Sequence, residues 1–562
     1  MTRAFLVVPP ILKYTAGPLL GPHLLQSAAH RHGHECRILD LNARWIRSQE
    51  PLKTGKAQSV LANKLPYISW TGQNSHFLYR GQFVGDHDKP MMISSMSNFH
   101  QGTTALTDTT SFLSHLEHQF ITQQILPNLP FPSCDGRKQG HSQAVGADNS
   151  ELLNRVRFCF FDHDDIQTAA KNIIETSSPS GEPPTLGPWI EQQLIHDGEV
   201  IGDGVRCEPP ELVGLSILHA GQVIPSVTIA MIARKLWPKA LIVFGGPHMS
   251  GLGSDTLRQD LLHRRYAADV FVTGHAEQTF VELLDQLELR KKSSPFDTNV
   301  ILNEMSNELA KVFEGRRLAA PVAPRFDDAA LMLYDHPVTL PAQSTLGCAY
   351  GRCTFCTYPA VEPTPIKLPL DIAVTSVVDQ ALQRNDGTRL CIKDSLVTPL
   401  RLEHIATKCV KGRVSWSACT KLHAKLVNKD FLHNTLSRKG GLRTLEVGLE
   451  SLHPETQRRI DKIQSQSLFE NFVRVVAQDA PDLSLVVNYM TGFPWDCEES
   501  DAKLHWVQDF MTSQLGNRGC VEHNTFELER LSPMAKNPAK YDIDCSKLRM
   551  WPWATVVDQR PV

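Results

Sequence analysis

"AQSTLGCAYGRCTFCTY", residues 342–358, places Cys348, Cys353 and Cys356 within nine residues, directly behind an apolar stretch that reads as a strand. Thiolates bind iron strongly, and a short loop wraps three of them around one face of a four-iron cubane. With three protein ligands, one iron keeps an open position for a substrate or cofactor. Gly347 and Gly351 supply side-chain-free backbone for the wrap, and Phe355 offers an apolar wall beside it. Two rival readings stand beside this one. The plant-type ferredoxin spacing C-x4-C-x2-C with a distant fourth cysteine is imitated if Cys391 is the fourth. However, Cys391 lies inside the buried strand pattern "RLCIKDS", where a small apolar cysteine is an ordinary core residue. A zinc site wants a second Cys or His knuckle, and none stands out.

The chain alternates around this loop. "AQSTLGC", "TRLCIKDS", "RVSWSACT", "LRTLEVGLE", "LSLVVNYMTGFP" and "HNTFELERL" are strand candidates with helical stretches between most of them. Such a count predicts a partial (β/α)6 TIM-type barrel over residues 336–545 rather than a closed eight-unit one. Upstream, "LVGLSIL", "ALIVFGGPH" and "ADVFVTGHAEQTFVELLDQL" repeat the strand–turn–helix grammar of a doubly wound, Rossmann-like α/β domain. Its ligand loops belong at the carboxyl ends of the strands. "AFLVVPP", "GPLLGPHLLQSAAHRHG" and "ECRILDLN" open that domain as strand, helix and strand. The reading assigns residues 1–285 to it, with a mostly helical insertion at about 46–208, a linker or docking segment at 286–335 and a tail at 546–562. The insertion has helix-like pieces near 105–127, 150–176 and 187–196, and a "DHD" at 86–88 and again at 162–164. We read these triplets as solvated loop or helix-end charges rather than metal ligands.

Bulk properties narrow the class. The chain has 562 residues, too many for one core, so two or three domains are expected. Lys+Arg number 57 against 60 Asp+Glu, a formal net charge of −3, which gives no reason to expect nucleic acid or an anionic membrane as partner. No apolar run approaches the ~20 residues of a membrane helix. The 13 cysteines are spread thinly, unlike a secreted disulfide framework, so a cytoplasmic location is expected.

In order along the chain, "GCAYGRCTFC", "IKDSLVTP", "WSACTKL", "VGLESLHPETQRRIDK", "NYMTGFPWDCEES" and "FELERLSPMAKNPAKYDI" resemble the catalytic domain of radical S-adenosylmethionine enzymes. The resemblance is to the subfamily with an N-terminal cobalamin (B12)-binding domain. The commonest spacing there is C-x3-C-x2-C; this chain carries one extra residue, a known variation. The resemblance implies a [4Fe–4S] cluster whose open iron chelates S-adenosylmethionine. One electron from a flavodoxin- or ferredoxin-type donor then cleaves the sulfonium to a 5′-deoxyadenosyl radical. It implies further that Asp394 and Ser395 meet the methionine amino group or ribose, that Glu450 and Ser451 bond ribose hydroxyls, and that Gly492 lets backbone approach the adenosine. For each polar residue, a helix N-cap after a strand is the competing reading.

"GLSILHAG", "VFGGPHMSGLG" and "VTGHAEQTF" resemble strand ends of B12-binding domains. That implies a corrin resting on Gly245, Gly246 and Gly274, with Ser216 bonding its nucleotide tail or a side-chain amide. No histidine here has an aspartate two residues before it, so the D-x-H-x-x-G motif that ligates cobalt in some B12 proteins is absent. His248 is expected to cap the following turn instead. The expected activity is methylation of an unactivated carbon of a peptide or small metabolite. A radical rearrangement or oxidation without methyl transfer, and a cobalamin- or cluster-binding sensor, are the alternatives. The substrate itself is not legible.

Overall fold

Arg3–Val8 (β1), Glu35–Asp40 (β2), Leu212–Ser216 (β3), Leu241–Gly245 (β4), Val270–Thr273 (β5) and Lys311–Glu314 (β6) form one wholly parallel sheet in the order β2-β1-β3-β4-β5-β6. Their near-continuous apolar runs follow from burial on both faces. One face carries Phe5, Val7, Val213, Ile242, Phe244 and Phe271 against helix α1, Val223–Leu236. The other carries Ala4, Leu6, Val243 and Val272 against helix α2, Glu277–Ser293. Strand order reverses between β1 and β3, the switch point at which such sheets bind ligands beyond their carboxyl ends. The computed structural model describes residues 1–10, 17–48, 68–70, 77–79, 120–129, 149–176, 185–199, 208–261, 268–293, 311–334, 337–409 and 413–559.

Two expected boundaries move. Strand β6 lies inside the stretch 286–335 that reads as a linker, yet it pairs in parallel with β5 from Val270↔Lys311 to Thr273↔Glu314. The first unit therefore extends through it. "KVFE" is too short and too charged to announce a strand, and only its pairing with β5 makes it one. The tail is not a free appendage either. Trp553 is fully buried against Phe244 and Phe271, with ring centroids 6.3 Å away in both cases. Its Nε1 donates to His163 Nδ1 at 3.1 Å, and its carbonyl oxygen lies 2.9 Å from His248 Nε2. The C-terminal segment thus completes the core of the N-terminal unit.

Within the stretch read as an insertion the described elements are the helices Asn149–Phe158, His163–Glu175 and Leu186–Glu199, the helical turns Ile121–Ile125 and Leu126–Asn128, and the antiparallel strands Ile68–Trp70 and Phe77–Tyr79. Ile166, Ala169, Ile173, Ile190 and Leu194 join the same core as α1. The stretch 105–119 and the first "DHD" lie outside the described residues. In the second, Asp162 precedes the helix and His163 is buried under Trp553, as a packing residue.

The second sheet is Thr339–Ala342 (β7), Arg389–Ile392 (β8), Trp416–Thr420 (β9), Leu442–Glu450 (β10), Ser484–Thr491 (β11) and Gly519–Thr525 (β12), parallel and in sequence order. Among the described residues β7 and β12 do not pair, so the barrel is partial. The outer strands sit several residues before their expected positions. Pro341 lies within β7, where an edge strand tolerates a missing N–H. Thr345–Leu346 instead forms a short antiparallel pairing with Ile366–Lys367. The units are joined by Tyr334, whose hydroxyl donates to the buried Asp40 carboxylate at 2.6 Å, and by Arg47 Nε donating to Leu333 O at 2.9 Å.

Candidate functional site

The cysteine loop leaves the mouth of the barrel and is pinned from several sides. Thr354 N–H donates to Ile460 O at 3.1 Å and its hydroxyl to Arg459 O at 2.8 Å. Met534 N–H returns to Thr354 O at 3.0 Å. Tyr350 OH donates to Asp461 O at 2.6 Å, and Thr357 N–H to Glu529 Oε2 at 3.1 Å. Phe355 is buried with Ile460, Met490, Phe493 and Phe526, and Cys353 and Cys356 pack against this same cluster. Phe355 thus lies in the apolar cluster against which two of the three thiols pack.

The chemistry of the three thiols is that of soft metal ligands, although among the described residues no three His, Cys, Asp or Glu side chains stand close enough to hold a metal ion as placed. Cys348, Cys353 and Cys356 are all free thiols. Burial pushes Cys353 up to about 11, with the Lys462 charge opposing and Glu450 and Cys348 adding to the rise. Burial, then the Glu529 charge, holds Cys356 well above the usual thiol range. Such thiols stay protonated until a bound cation displaces the protons. Tyr358 N–H donates to Cys356 Sγ at 3.4 Å, a bond of the kind that tunes cluster potential. Cys391 lies apart, fully buried in β8 and paired with Pro341 and Ser417.

Glu450 ends β10 in a left-handed conformation, φ 63°, that a non-glycine residue adopts only under constraint. A register shift between Gly448 and Glu450 turns it inward, where its Oε1 accepts from Lys462 Nζ at 2.8 Å. Both partners are buried. A Cβ on Gly448 would stand 2.6 Å from Lys462 Nζ and 2.7 Å from Glu450 Oε1, so this glycine makes room for the pair. Ser451 Oγ accepts from His453 N–H at 3.0 Å. Asp394 is engaged within the fold: Ser344 N–H and Oγ–H donate to its two oxygens at 2.7 and 2.6 Å. Burial lifts Asp394 to about 6 against those bonds. Ser395 Oγ donates to Gly347 O at 3.1 Å, bracing the cysteine loop. Gly492, φ 86°, gives its N–H to Asp496 Oδ2 at 2.7 Å.

On the first sheet, Ser216 and Gly245 are register partners at the carboxyl edge. A Cβ on Gly245 would meet nothing nearer than Val272 O at 3.7 Å, and one on Gly274 nothing within 4 Å. These two glycines present open backbone, the kind of surface a flat corrin needs. Gly274 has a left-handed φ of 70° and so favours glycine whatever the space around it. Gly246 combines a φ of 99° with crowding: a Cβ there would stand 2.5 Å from Ile217 O, so the fold itself requires the glycine. His248 is buried, which lowers its pKa to about 3. It bonds the Trp553 carbonyl rather than capping a turn.

One contact ties the loop after β5 to the segment behind the cysteine loop. His275, next to Gly274 at the end of β5, places Nε2 2.9 Å from Oε1 of Glu362, which follows the helix Tyr358–Val361 behind the cysteine loop. Neither His275 nor Glu362 stands out in the sequence, and Lys462 is equally silent there, because their partners are remote along the chain.

No protein-family model matches the chain. Over 179 residues, 30% of this chain and 40% of the relative, it is 23% identical to the ribosomal protein uS12 methylthiotransferase RimO of Carboxydothermus hydrogenoformans. It therefore spans well under half the length of that curated relative. Among solved structures it aligns over 98% of its length, and 77% of the other chain, with the radical S-adenosylmethionine methyltransferase TsrM from Kitasatospora setae with cobalamin and [4Fe–4S] cluster bound. The identity there is 13% and the TM-score 0.49. It also aligns over 67% of its length, and 58% of the other chain, with the cobalamin-dependent S-adenosylmethionine radical enzyme OxsB with aqua-cobalamin and S-adenosylmethionine bound, at 13% identity and TM-score 0.49.

Proposed function

We propose that this chain is a cobalamin-dependent radical S-adenosylmethionine enzyme that methylates an unactivated carbon of a small metabolite or peptide. The observation that carries the reading is the contact between His275 and Glu362. It ties an open glycine edge of a doubly wound sheet to the segment behind a loop of three part-buried thiols at a barrel mouth.

When bound, the cluster and S-adenosylmethionine supply a hydrogen-abstracting radical, and cobalamin supplies a transferable methyl group. The protein's part is placement and exclusion of water. Cys348, Cys353 and Cys356 are the cluster ligands in this reading, and Phe355, Met490, Phe493 and Phe526 keep water from their sulfurs. Lys462 brings a positive charge beside Cys353 and fixes Glu450, leaving the second Glu450 oxygen to accept from ribose hydroxyls. The Ser395 bond to Gly347 O holds the loop against the end of β8. On the first sheet's edge, Gly245, Gly274 and Ser216 form the corrin rest, and His275 ties that edge to the segment behind the loop. An external one-electron donor of flavodoxin or ferredoxin type completes the cycle.

The test is product analysis after anaerobic incubation of cobalamin- and cluster-loaded protein with S-adenosylmethionine and a reductant. S-Adenosylhomocysteine beside 5′-deoxyadenosine is the expected pair. 5′-Deoxyadenosine alone contradicts methyl transfer, and the absence of both contradicts the radical reading itself.

A further inference from the structure

Helix α2, Glu277–Ser293, begins at the carboxyl edge of the first sheet, just past Gly274. Residues three, four and seven apart share one face of a helix. Phe280, Val281 and Leu284 are buried, and Phe280 and Leu284 pack with Leu6, Val243 and Val272 of the sheet. Glu277 stands on that same face, one turn nearer the helix start, where β5 has already ended at Thr273. Side chains on a helix lean toward its N-terminus, which carries the Glu277 carboxylate toward the edge that holds Gly245 and Gly274.

This carboxylate is not used by the fold around it. Its Oε2 is sealed from solvent and meets no hydrogen-bond partner among the described residues. A carboxylate in the first turn of a helix ordinarily accepts from the free N–H groups there. Here those donors are taken. Gln278 and Thr279 N–H donate to Arg316 O at 2.8 and 3.4 Å, and Phe280 N–H donates to Ala276 O at 2.7 Å. The Gln278 amide donates to Glu282 at 3.0 Å, the Arg316 guanidinium also pairs with Glu282, and His275 faces Glu362. Gly274 N–H, in the same turn, donates to Ser250 Oγ at 2.7 Å. Buried polar atoms are ordinarily satisfied, and a charged one left unbonded is the most unfavourable kind. Oε2 therefore calls for a donor that the described fold does not supply.

We propose that Glu277 Oε2 accepts a hydrogen bond from a peripheral carboxamide of the corrin, and so fixes how the ring lies on Gly245 and Gly274. A primary amide brings N–H donors, a corrin carries such amides around its rim, and their bond to a carboxylate is of the strong, charge-assisted kind. The bond needs a free lone pair rather than an uncompensated charge. A phosphate or carboxylate ligand brings acceptors where Oε2 is already an acceptor. A metal ion fits no better, since among the described residues no three His, Cys, Asp or Glu side chains stand together to hold one. The two glycines leave the surface open but without direction, and Glu277 supplies that direction. The inference rests on the reading of this edge as the cobalamin rest, and it adds the polar contact by which the ring is oriented.

The test is equilibrium dialysis of the full chain against hydroxocobalamin, and against cobalamins in which a single peripheral amide has been hydrolysed to the carboxylic acid. Glu277→Ala should bind hydroxocobalamin about tenfold or more weakly than the parent, as loss of a charge-assisted bond does. Glu277→Gln keeps a neutral acceptor and should lose about threefold. At least one amide-hydrolysed cobalamin should bind the parent about tenfold more weakly than hydroxocobalamin, because two carboxylates then meet. That penalty should vanish in Glu277→Gln, whose amide donates to the new carboxylate. A merely structural role for Glu277 would not exchange the preference in this way. Thermal melts without cobalamin should show both variants as stable as the parent; a lowered melt with unchanged binding assigns Glu277 to the fold instead. Equal binding of hydroxocobalamin by the parent and Glu277→Ala overturns the proposal. So does a parent indifferent to every amide hydrolysis, or a penalty that persists in Glu277→Gln. A parent chain that binds no cobalamin overturns the reading of this edge and the inference with it, whereas cobalamin bound without regard to Glu277 overturns the inference alone.

Discussion

Replacing Gly245 by valine separates the ligand role of the first sheet's edge from its role in folding. At Gly245 the backbone is not in the left-handed region, and an added Cβ makes only an ordinary contact with Val272 O at 3.7 Å. A β-branched residue suits a strand end, so the stability change should stay within about 1 kcal/mol. Gly246→Val is the contrasting control. Its φ of 99° strains any side chain, at about 1–2 kcal/mol. The 2.5 Å approach to Ile217 O adds overpacking of about 1–3 kcal/mol. Together these lower the melting temperature by roughly 5–15 °C. The assay pairs a thermal melt with cobalamin retained after desalting, read by absorbance. Gly245→Val should melt like the parent and bind cobalamin at least about tenfold more weakly, a loss of ~1.4 kcal/mol. Gly246→Val should lose both. Parent-like cobalamin affinity in a folded Gly245→Val protein would refute the placement of the corrin on this edge.

Three further outcomes follow from the geometry. Alanine at Cys348, Cys353 or Cys356 should each remove the cluster iron, while Cys391→Ala, deep in β8, should retain about four irons per chain; iron analysis after anaerobic reconstitution decides. Lys462→Met strands the buried Glu450 carboxylate and should destabilise the barrel by about 3–5 kcal/mol, whereas Lys462→Met with Glu450→Gln recovers most of it; denaturant melts of the four proteins form the cycle. Trp553→Ala opens a cavity between Phe244 and Phe271 and should cost about 3–5 kcal/mol. Its signature is a lowered melting transition and weakened cobalamin retention with unchanged iron content.

Both parallel sheets were legible because burial on two faces writes continuous apolar runs, as in "LVGLSIL" and "LRTLEVGLE". Hydrophobic rhythm marks such strands without help from their neighbours. β6 and the edges of the barrel were less legible, since their pairing depends on a neighbour already in place. The cysteine loop stood out by spacing alone, because three thiols within nine residues behind a strand must share one short loop wherever the chain folds. Asp394 shows the limit of such reading. A carboxylate after a strand looks the same whether it awaits a ligand or, as found, accepts from Ser344 twice. Gly246 shows another: a glycine kept for a ligand and one kept for Ile217 O are identical letters. Lys462, twelve residues beyond Glu450, and Trp553, 305 residues from His248, are joined only by tertiary folding, and no local pattern marks them.

The most direct test of the central claim is electron paramagnetic resonance of the anaerobically reconstituted, dithionite-reduced chain, before and after S-adenosylmethionine is added. The account predicts the signal of a reduced [4Fe–4S] cluster whose spectrum changes on addition, because one iron is open to the amino and carboxylate groups. It also predicts that the signal is absent in Cys353→Ala. A cluster signal that ignores S-adenosylmethionine, or one that survives in Cys353→Ala and disappears in Cys391→Ala, would contradict it.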